Sequence, residues 1–180
     1  MDVAGQLRRS STRKPGAVMT ITTTTHLNFR GEAREALEFY RTVFGGELTI
    51  ASYADFGMPA DAPGATNVVF GQVVSPEGFR VMAYDIPGPA AEPTTDGAVS
   101  PAPAATRREN GVTLTDQPFF VSVRGETLAE VEHLWAGLSA GATIVEPLAT
   151  SAWSPGFGML TDRFGVTWVI DVAAAQGAES

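Results

Sequence analysis

The stretch that decides the fold is residues 26–48, which read HLNFRGEAREALEFYRTVFGGEL. Its first four residues alternate between polar and apolar side chains, which is the period of a strand with one buried face. From Glu32 onward the apolar residues recur every three or four positions, as they do on the buried side of a helix. Gly45 and Gly46 then end the helix, because glycine accepts the left-handed backbone that follows a last helical turn. Residues 47–53 resume as a strand, so the unit is strand, helix, strand.

The same unit recurs in the second half of the chain. The triplet RGE at residues 124–126 repeats the triplet at residues 30–32, at an offset of 94. A second helical pattern over residues 127–138 follows it and ends at Gly141. In each half, two further alternating segments joined by a glycine-containing turn indicate a hairpin. We therefore predict an α+β fold built from two tandem βαβββ modules.

Two blocks of this sequence carry a resemblance to a known family. The first joins FRG, EALEFY and VFGGE within residues 29–47, and the second is FGMLTDRFGVTW at residues 157–168. Over residues 21–172 the chain resembles the PhnB-like branch of the vicinal oxygen chelate superfamily, which includes glyoxalases, bleomycin-resistance proteins and extradiol dioxygenases. The resemblance implies a curved mixed sheet wrapped around a cavity, and a homodimer. It implies no single reaction, because one fold hosts many chemistries.

The chain divides into five predicted segments. Residues 1–19 are a basic disordered leader, residues 20–85 the first module, residues 118–172 the second module and residues 173–180 a frayed tail. Residues 86–117 are rich in proline, alanine and threonine and have no sustained period. A connection of this length is unusual inside a compact domain. It is either a solvated linker or a lid over a bound ligand, and both interpretations stay open.

Composition excludes several classes of function. The chain has no cysteine and two histidines, so no disulfide, thiolate nucleophile or three-histidine metal site forms within it. The net charge is +3 in residues 1–18 and −11 in the remainder, which indicates that nucleic acid is not a partner. No apolar run approaches the ~20 residues of a membrane span, and the N-terminus lacks the apolar core of a signal peptide. We expect a cytoplasmic protein.

Strand alternation predicts which side chains line the cavity. Residues two apart on a strand share a face, and the repeat extends this assignment from the first module to the second. The face is mixed in chemistry and suits a small organic molecule, with Arg80 as partner for an anionic group. The predicted ligand-contacting residues are His26, Asn28, Arg80, Met82, Tyr84, Phe120, Ser122, Val169 and Asp171, with Trp153 in a loop at the cavity mouth.

The resemblance also implies where a metal would bind. Metal-dependent members of the superfamily place ligands on the first and fourth strands of each module, and the matching positions here are His26, Met82, Phe120 and Val169. Of these four only the imidazole of His26 suits a hard divalent ion, whereas a first shell needs at least three good donors. We therefore expect no metal and no other cofactor. His26 is the candidate catalytic residue for proton chemistry, or alternatively a hydrogen-bonded structural imidazole.

The predicted function is that of a glyoxalase/bleomycin-resistance-like protein which binds a small organic molecule between its modules, without the usual divalent metal. Whether it is an enzyme is left open. One alternative is a metal-dependent lyase, isomerase or dioxygenase of the same superfamily, and a second is a structural or partner-binding module with a filled cavity. The branch also carries a demethylubiquinone methyltransferase label, but the chain lacks a glycine-rich strand-to-helix turn for S-adenosylmethionine.

Overall fold

The structure is a computed structural model that describes residues 22–88 and 106–173. The first module contains β1 (Thr25–Phe29), α1 (Ala33–Phe44), β2 (Glu47–Ser52), a 3-10 turn (Ala54–Phe56), β3 (Val68–Val74) and β4 (Arg80–Asp85). A short hairpin follows, formed by β5 (Arg107–Glu109) and β6 (Val112–Leu114). The second module contains β7 (Val121–Gly125), α2 (Leu128–Leu138), β8 (Thr143–Ala149), β9 (Phe157–Thr161) and β10 (Thr167–Val172). The predicted leader, residues 89–105 of the predicted linker or lid, and residues 174–180 of the predicted tail lie outside the described ranges.

The two modules have the same topology. The first sheet has the strand order β1-β4-β3-β2 and the second has the order β7-β10-β9-β8. In each sheet the first strand pairs in parallel with the fourth, and the remaining neighbours are antiparallel. β1 and β7 each form one edge of their sheet, and β2 and β8 form the other edge. The α+β prediction with two βαβββ modules is confirmed. Among the described residues neither helix is long and apolar enough to cross a membrane.

Helix α1 forms where the apolar period predicts it and buries that stripe against the first sheet. The fully buried side chains include Ala33, Ala36, Leu37 and Tyr40. The sheet leaves room for it at Gly71, where an added Cβ would lie 2.2 Å from the Cδ1 atom of Leu37. A helix packed this closely on a sheet covers one face of the sheet and leaves the other face open.

Asp85, at the end of β4, fastens the beginning of α1 to the first sheet. Its Oδ1 atom accepts hydrogen bonds from the backbone N–H groups of Gly31, at 2.7 Å, and Ala33, at 3.0 Å. Its Oδ2 atom accepts from the N–H of Val68 on β3, at 2.8 Å. The carboxylate is 1% exposed, so these three donors replace the water it loses on burial.

Helix α2 begins with a capping box instead. The Thr127 hydroxyl accepts a hydrogen bond from the N–H of Glu130, and the Glu130 carboxylate accepts from the N–H groups of Thr127 and Glu126. These arrangements satisfy donors that a helix start leaves without intrahelical partners. The bonds from the Thr127 and Glu126 N–H groups lower the pKa of Glu130 below its usual value.

A shared core joins the modules through the carboxylate of Asp162, in the turn between β9 and β10. Its Oδ2 atom accepts from the Tyr40 hydroxyl at 2.7 Å and from Trp168 Nε1 at 2.8 Å. Its Oδ1 atom accepts from the backbone N–H groups of Phe164 and Val166, at 2.9 and 3.0 Å. Burial, and next the negative charge of Asp162, raise the pKa of Tyr40 far above its ordinary value. Tyr40 is therefore a permanent donor in this core, not an acid or base.

Aromatic rings fill the space around this carboxylate. Phe44 stacks on Phe79 with ring centroids 3.7 Å apart, and Tyr40 and Phe44 both contact Trp168, at 5.4 and 5.5 Å. Helix α1 of the first module thus packs on the second sheet as well as on its own.

We predict that Tyr40→Phe destabilises the protein by about 1 to 3 kcal/mol, because it removes a buried hydrogen bond to a charged group. Urea unfolding followed by far-UV circular dichroism measures the loss. Tyr84→Phe is the matched control, since the Tyr84 hydroxyl has no hydrogen-bond partner within residues 22–88 and 106–173. Equal stability of the two variants would contradict the role assigned to the Tyr40 hydroxyl.

A second prediction concerns the cap of α2. Because the folded-state pKa of Glu130 is depressed, its ionised form stabilises the fold above the ordinary carboxyl pKa, and this contribution is lost as the pH falls through the folded-state pKa. Glu130→Gln should therefore be less stable than the wild type at about pH 7, and the difference should shrink towards about pH 3. Thermal unfolding at the two pH values checks this. A difference that stays constant with pH, or that appears equally in the exposed neighbour Glu132→Gln, would contradict it.

Candidate functional site

Each four-stranded sheet has one face packed under helices and one face turned away from them. We call the helix-free face of the first sheet face 1 and that of the second sheet face 2. On β1 the residues that point towards α1, Leu27 and Phe29, are buried, whereas His26 and Asn28 are exposed. Since α1 packs against both sheets, faces 1 and 2 both lie away from the shared core.

Face 1 brings four of the predicted ligand-contacting residues side by side. The parallel register of β1 and β4 sets His26 beside Met82 and Asn28 beside Tyr84. Gln72 of β3 continues the first of these rows. The imidazole of His26 meets the ring of Tyr84 edge-on, with centroids 5.4 Å apart and planes at 69°. This surface offers hydrogen-bond donors and acceptors next to apolar groups.

Tyr53, which follows β2, contacts the end of β4 at the edge of face 1. Its hydroxyl donates a 2.8 Å hydrogen bond to the backbone carbonyl of Asp85. Loss of water around this hydroxyl, and then the nearby Tyr84 and Asp85, raise the pKa of Tyr53 above its ordinary value. Tyr53 therefore stays protonated near neutral pH and adds a phenol beside that of Tyr84. This residue was absent from the sequence prediction, because the end of β2 gives no sign of which β4 residue it meets.

Face 2 carries three further predicted residues in adjacent positions. Ser122 of β7 lies beside Val169 of β10, and Arg124 lies beside Asp171. The guanidinium of Arg124 makes two hydrogen bonds to the carboxylate of Asp171, at 2.9 and 2.6 Å, and the pKa of Arg124 is raised by these bonds. Asp171 is thus held by a cation that was not on the predicted list.

The outer part of face 2 is aromatic. Phe157 of β9 pairs with Asp171, and its ring meets that of Trp153 edge-on at 5.3 Å. Trp153 is 57% exposed, in agreement with its predicted place in a loop. It reaches face 2 through Phe157.

The β5–β6 hairpin lies over face 2 and supplies a residue that sequence reasoning missed. Arg108 of β5 has its Nε atom 2.7 Å from Glu146 Oε2 on β8, and its guanidinium carbon is 5.4 Å from the centre of the Phe157 ring. Met159 is 2% exposed beneath Arg108 and Thr113. Within the segment that we predicted to be a linker or a lid, residues 107–114 are therefore an ordered cover.

The sequence does contain a signal for this hairpin. Asn110 and Gly111 join the two strands with φ values of 51° and 78°. Asn-Gly is the pair that two-residue hairpin turns of this type favour. The strands are three residues each, which is too short for their alternation to be recognised in a proline-rich and alanine-rich segment.

Two predicted residues lie apart from the others. Arg80, at the start of β4, is exposed and lines a groove of about 1070 Å³ that runs between the Ser75–Arg80 turn and β7. Ser122 lines the same groove. Phe120 is half-buried just before β7 begins. The structure therefore places the predicted residues on two faces and a groove.

The two modules match with a register that differs from the sequence repeat. The carbonyl of Phe29 accepts from the N–H of Ile86, and the carbonyl of Gly125 accepts from the N–H of Ala173, both at 2.8 Å. These bonds make Phe29 and Gly125 equivalent, 96 residues apart instead of the 94 of the RGE repeat. A shift of two residues keeps every side chain on the same face.

This register changes one of the expected metal-ligand positions. The residue of β7 beside Val169 is Ser122, whereas the sequence repeat indicated Phe120. The equivalent pair in the first module is His26 and Met82. A hydroxyl replaces a phenyl ring at one position, and the set still contains a single imidazole. In the part of the chain that the structure describes, no group of three or more His, Cys, Asp or Glu side chains converges as metal ligands.

Comparisons with known proteins agree with this architecture. The protein YjdN of Escherichia coli (strain K12) is 27% identical over 158 residues, which are 84% of this chain and 95% of YjdN. The crystal structure of PA1353 from Pseudomonas aeruginosa is 27% identical, has a TM-score of 0.61 and matches 85% of this chain and 98% of its own. The PhnB protein from Bacillus cereus, at 24% identity and a TM-score of 0.58, shares the fold over 85% of this chain and 100% of its own.

The family model described as the Glyoxalase/Bleomycin resistance protein/Dioxygenase superfamily matches residues 24–170. The resemblance noted in the two sequence blocks is confirmed, and the chain belongs to this superfamily.

Proposed function

We propose that the protein binds a small organic molecule on face 1 and does so without a divalent metal ion. The observation that carries this proposal is the contrast between the two faces. On face 2 the Met159 side chain is buried beneath the protein's own hairpin, whereas Gln72 at the matching position of face 1 is half-buried. His26 and Asn28 are exposed, as are their equivalents on β7. Face 1 has the same scaffold, and within the described ranges the β5–β6 hairpin contacts face 2 and not face 1.

The chemistry of face 1 supports a ligand with both polar and flat apolar parts. The His26 ring meets the Tyr84 ring edge-on, and its two nitrogens can donate and accept hydrogen bonds to a ligand. Asn28 adds an amide, and Met82 adds a polarizable thioether that adapts to irregular shapes. Few but well-placed polar groups on an apolar floor are typical of small-molecule sites.

The donor set does not fit the divalent metal of the superfamily's metal-dependent enzymes. The positions to be tested are His26, Met82, Ser122 and Val169. A thioether, a neutral hydroxyl and an isopropyl group beside one imidazole provide no anionic ligand for Zn, Mn, Fe or Ni. A metal-dependent lyase, isomerase or dioxygenase reaction is the competing proposal, and it requires ligands from elsewhere.

The third candidate is a partner-binding module without a ligand. It is favoured by one observation, the covered state of face 2, since a hairpin there already occupies the space of a ligand. The three candidates make different predictions. Stoichiometric metal indicates the enzyme, ligand binding without turnover indicates the binding protein, and neither result indicates the module.

We predict that protein purified without chelator and without a metal-affinity tag contains far less than one equivalent of Mn, Fe, Ni or Zn. Elemental analysis of the wild type and of His26→Ala checks this, since a metal bound by the imidazole would be lost in the variant. Near-stoichiometric metal in the wild type that disappears in His26→Ala would overturn the metal-free proposal and favour the enzyme.

The binding proposal is tested with a library of small organic molecules, screened by shifts in melting temperature. Each hit is then titrated by calorimetry into the wild type, His26→Gln and His133→Gln. Loss of one hydrogen bond from the His26 ring should weaken binding about tenfold. His133 is the matched control, because it is exposed on α2 and lies outside face 1. An absence of hits, or equal weakening by both substitutions, would contradict ligand binding on face 1.

A further inference from the structure

The strongest unexplained feature of the molecule is the position of Arg108. Its side chain is 15% exposed, although it belongs to a two-stranded hairpin at the surface. Its Nη1 atom donates to the Thr113 hydroxyl and its Nη2 atom to the Gly111 carbonyl, both at 3.1 Å, so these bonds stay within the hairpin. What the guanidinium meets outside the hairpin is face 2.

Face 2 presents the guanidinium with an anion, an aromatic ring and a thioether. Glu146 supplies the carboxylate, Phe157 supplies the ring at 5.4 Å, and the sulfur of Met159 lies 4.0 Å from Nη1. A carboxylate next to an aromatic face is an arrangement that attracts flat organic cations. The second carboxylate of the face, Asp171, is already neutralised by Arg124.

Face 2 does not satisfy every hydrogen-bond donor of the Arg108 side chain. Although Nε lies 2.7 Å from Glu146 Oε2, its N–H does not point at that oxygen, and this buried donor has no hydrogen-bond acceptor among the described residues. A buried donor without an acceptor weakens the closed state. A ligand with better geometry towards Glu146 would therefore compete with Arg108.

Within the described chain the hairpin shares no strand pairing with either module, because β5 and β6 pair only with each other. Backbone hydrogen bonds from residues 106–117 to the four-stranded sheets are absent from the described ranges, so side chains alone hold the hairpin on face 2. Its displacement breaks contacts of Arg108 and Thr113 but no strand pairing.

We infer that face 2 is a second binding site, for a flat organic cation of the amidinium or guanidinium class, and that Arg108 occupies it as an internal competitor. The two faces then differ in function, and they also differ in that the β5–β6 hairpin packs over face 2 alone. Face 1 is open to a ligand, whereas face 2 accepts one only when the hairpin lifts. This inference concerns a different face from the proposed function and does not depend on it.

Benzamidine is the probe that tests this site, and benzamide is its neutral control. Both are titrated by calorimetry into the wild type, Arg108→Gln and Arg107→Gln. Arg107 is the matched control, because it is the adjacent arginine of the same strand, with a 58% exposed side chain that pairs with Glu109. If the hairpin is open about a tenth of the time, removal of the competitor should tighten benzamidine binding about tenfold. Arg107→Gln should bind benzamidine with the affinity of the wild type. The affinity for benzamide should not be higher in either variant than in the wild type.

Accessibility of Met159 provides an independent measurement. Dilute hydrogen peroxide transfers one oxygen atom to an accessible thioether and leaves as water, and peptide mass spectrometry gives the rate for each methionine. Met159 should oxidise faster in Arg108→Gln than in Arg107→Gln. If Arg108→Gln does not fold, Arg108→Met retains an unbranched apolar side chain and serves in its place.

Two results would overturn the inference. One is a Met159 that stays protected in a folded Arg108 variant, since Arg108 would then not hold the cover. The other is an accessible Met159 with no gain in benzamidine affinity over Arg107→Gln. If the inference is right, the tighter benzamidine binding of Arg108→Gln is abolished when Glu146→Gln is added to that variant. It is unaffected when His26→Gln is added instead, which shows that benzamidine binds on face 2 and not on face 1.

Discussion

The arrangement of the two modules depends on one buried carboxylate. Asp162 is 4% exposed, and among the described residues no cation is its hydrogen-bond partner. Its burial is tolerated because four donors converge on it. Two of these donors are backbone N–H groups of its own turn, and two are the side chains of Tyr40 and Trp168. Because Tyr40 belongs to the first module, the carboxylate fixes the position of α1 on the second sheet. The orientation of both helix-free faces follows from that contact.

The sequence was sufficient where the deciding interactions are local. The apolar period and the glycine stop predicted α1 to within one residue of its observed start, and the alternation of β1 assigned His26 and Asn28 to the face away from the helix. Interactions between distant segments were not accessible in this way. Nothing in the period of α1 indicates that the Tyr40 hydroxyl meets Asp162, 122 residues further along the chain.

The candidate site shows the same division. Strand parity predicts which side of a sheet each residue faces, but it does not say which strands or loops come to lie over that side. The β5–β6 hairpin covers face 2 through Arg108, and its six strand residues sit in a segment whose composition indicates a linker. The 94-residue repeat was also misleading by two positions, because a short motif repeats by sequence and not by backbone pairing. A duplicated scaffold has therefore acquired two faces with different chemistry and different cover.

Asp85 has a consequence for face 1 although its own side chain points away from it. Neighbouring residues on a strand face opposite sides, so a slip of β4 by one position would exchange every side chain between the helix and the ligand face. Such a slip would expose the carboxylate and push Tyr84 under α1. The three backbone donors that Asp85 holds are supplied by two other segments of the chain, and they accept only one register of β4. Asp85 therefore fixes the register of β4. In this way it determines which β4 side chains lie on face 1, although its own side chain lies on the opposite face.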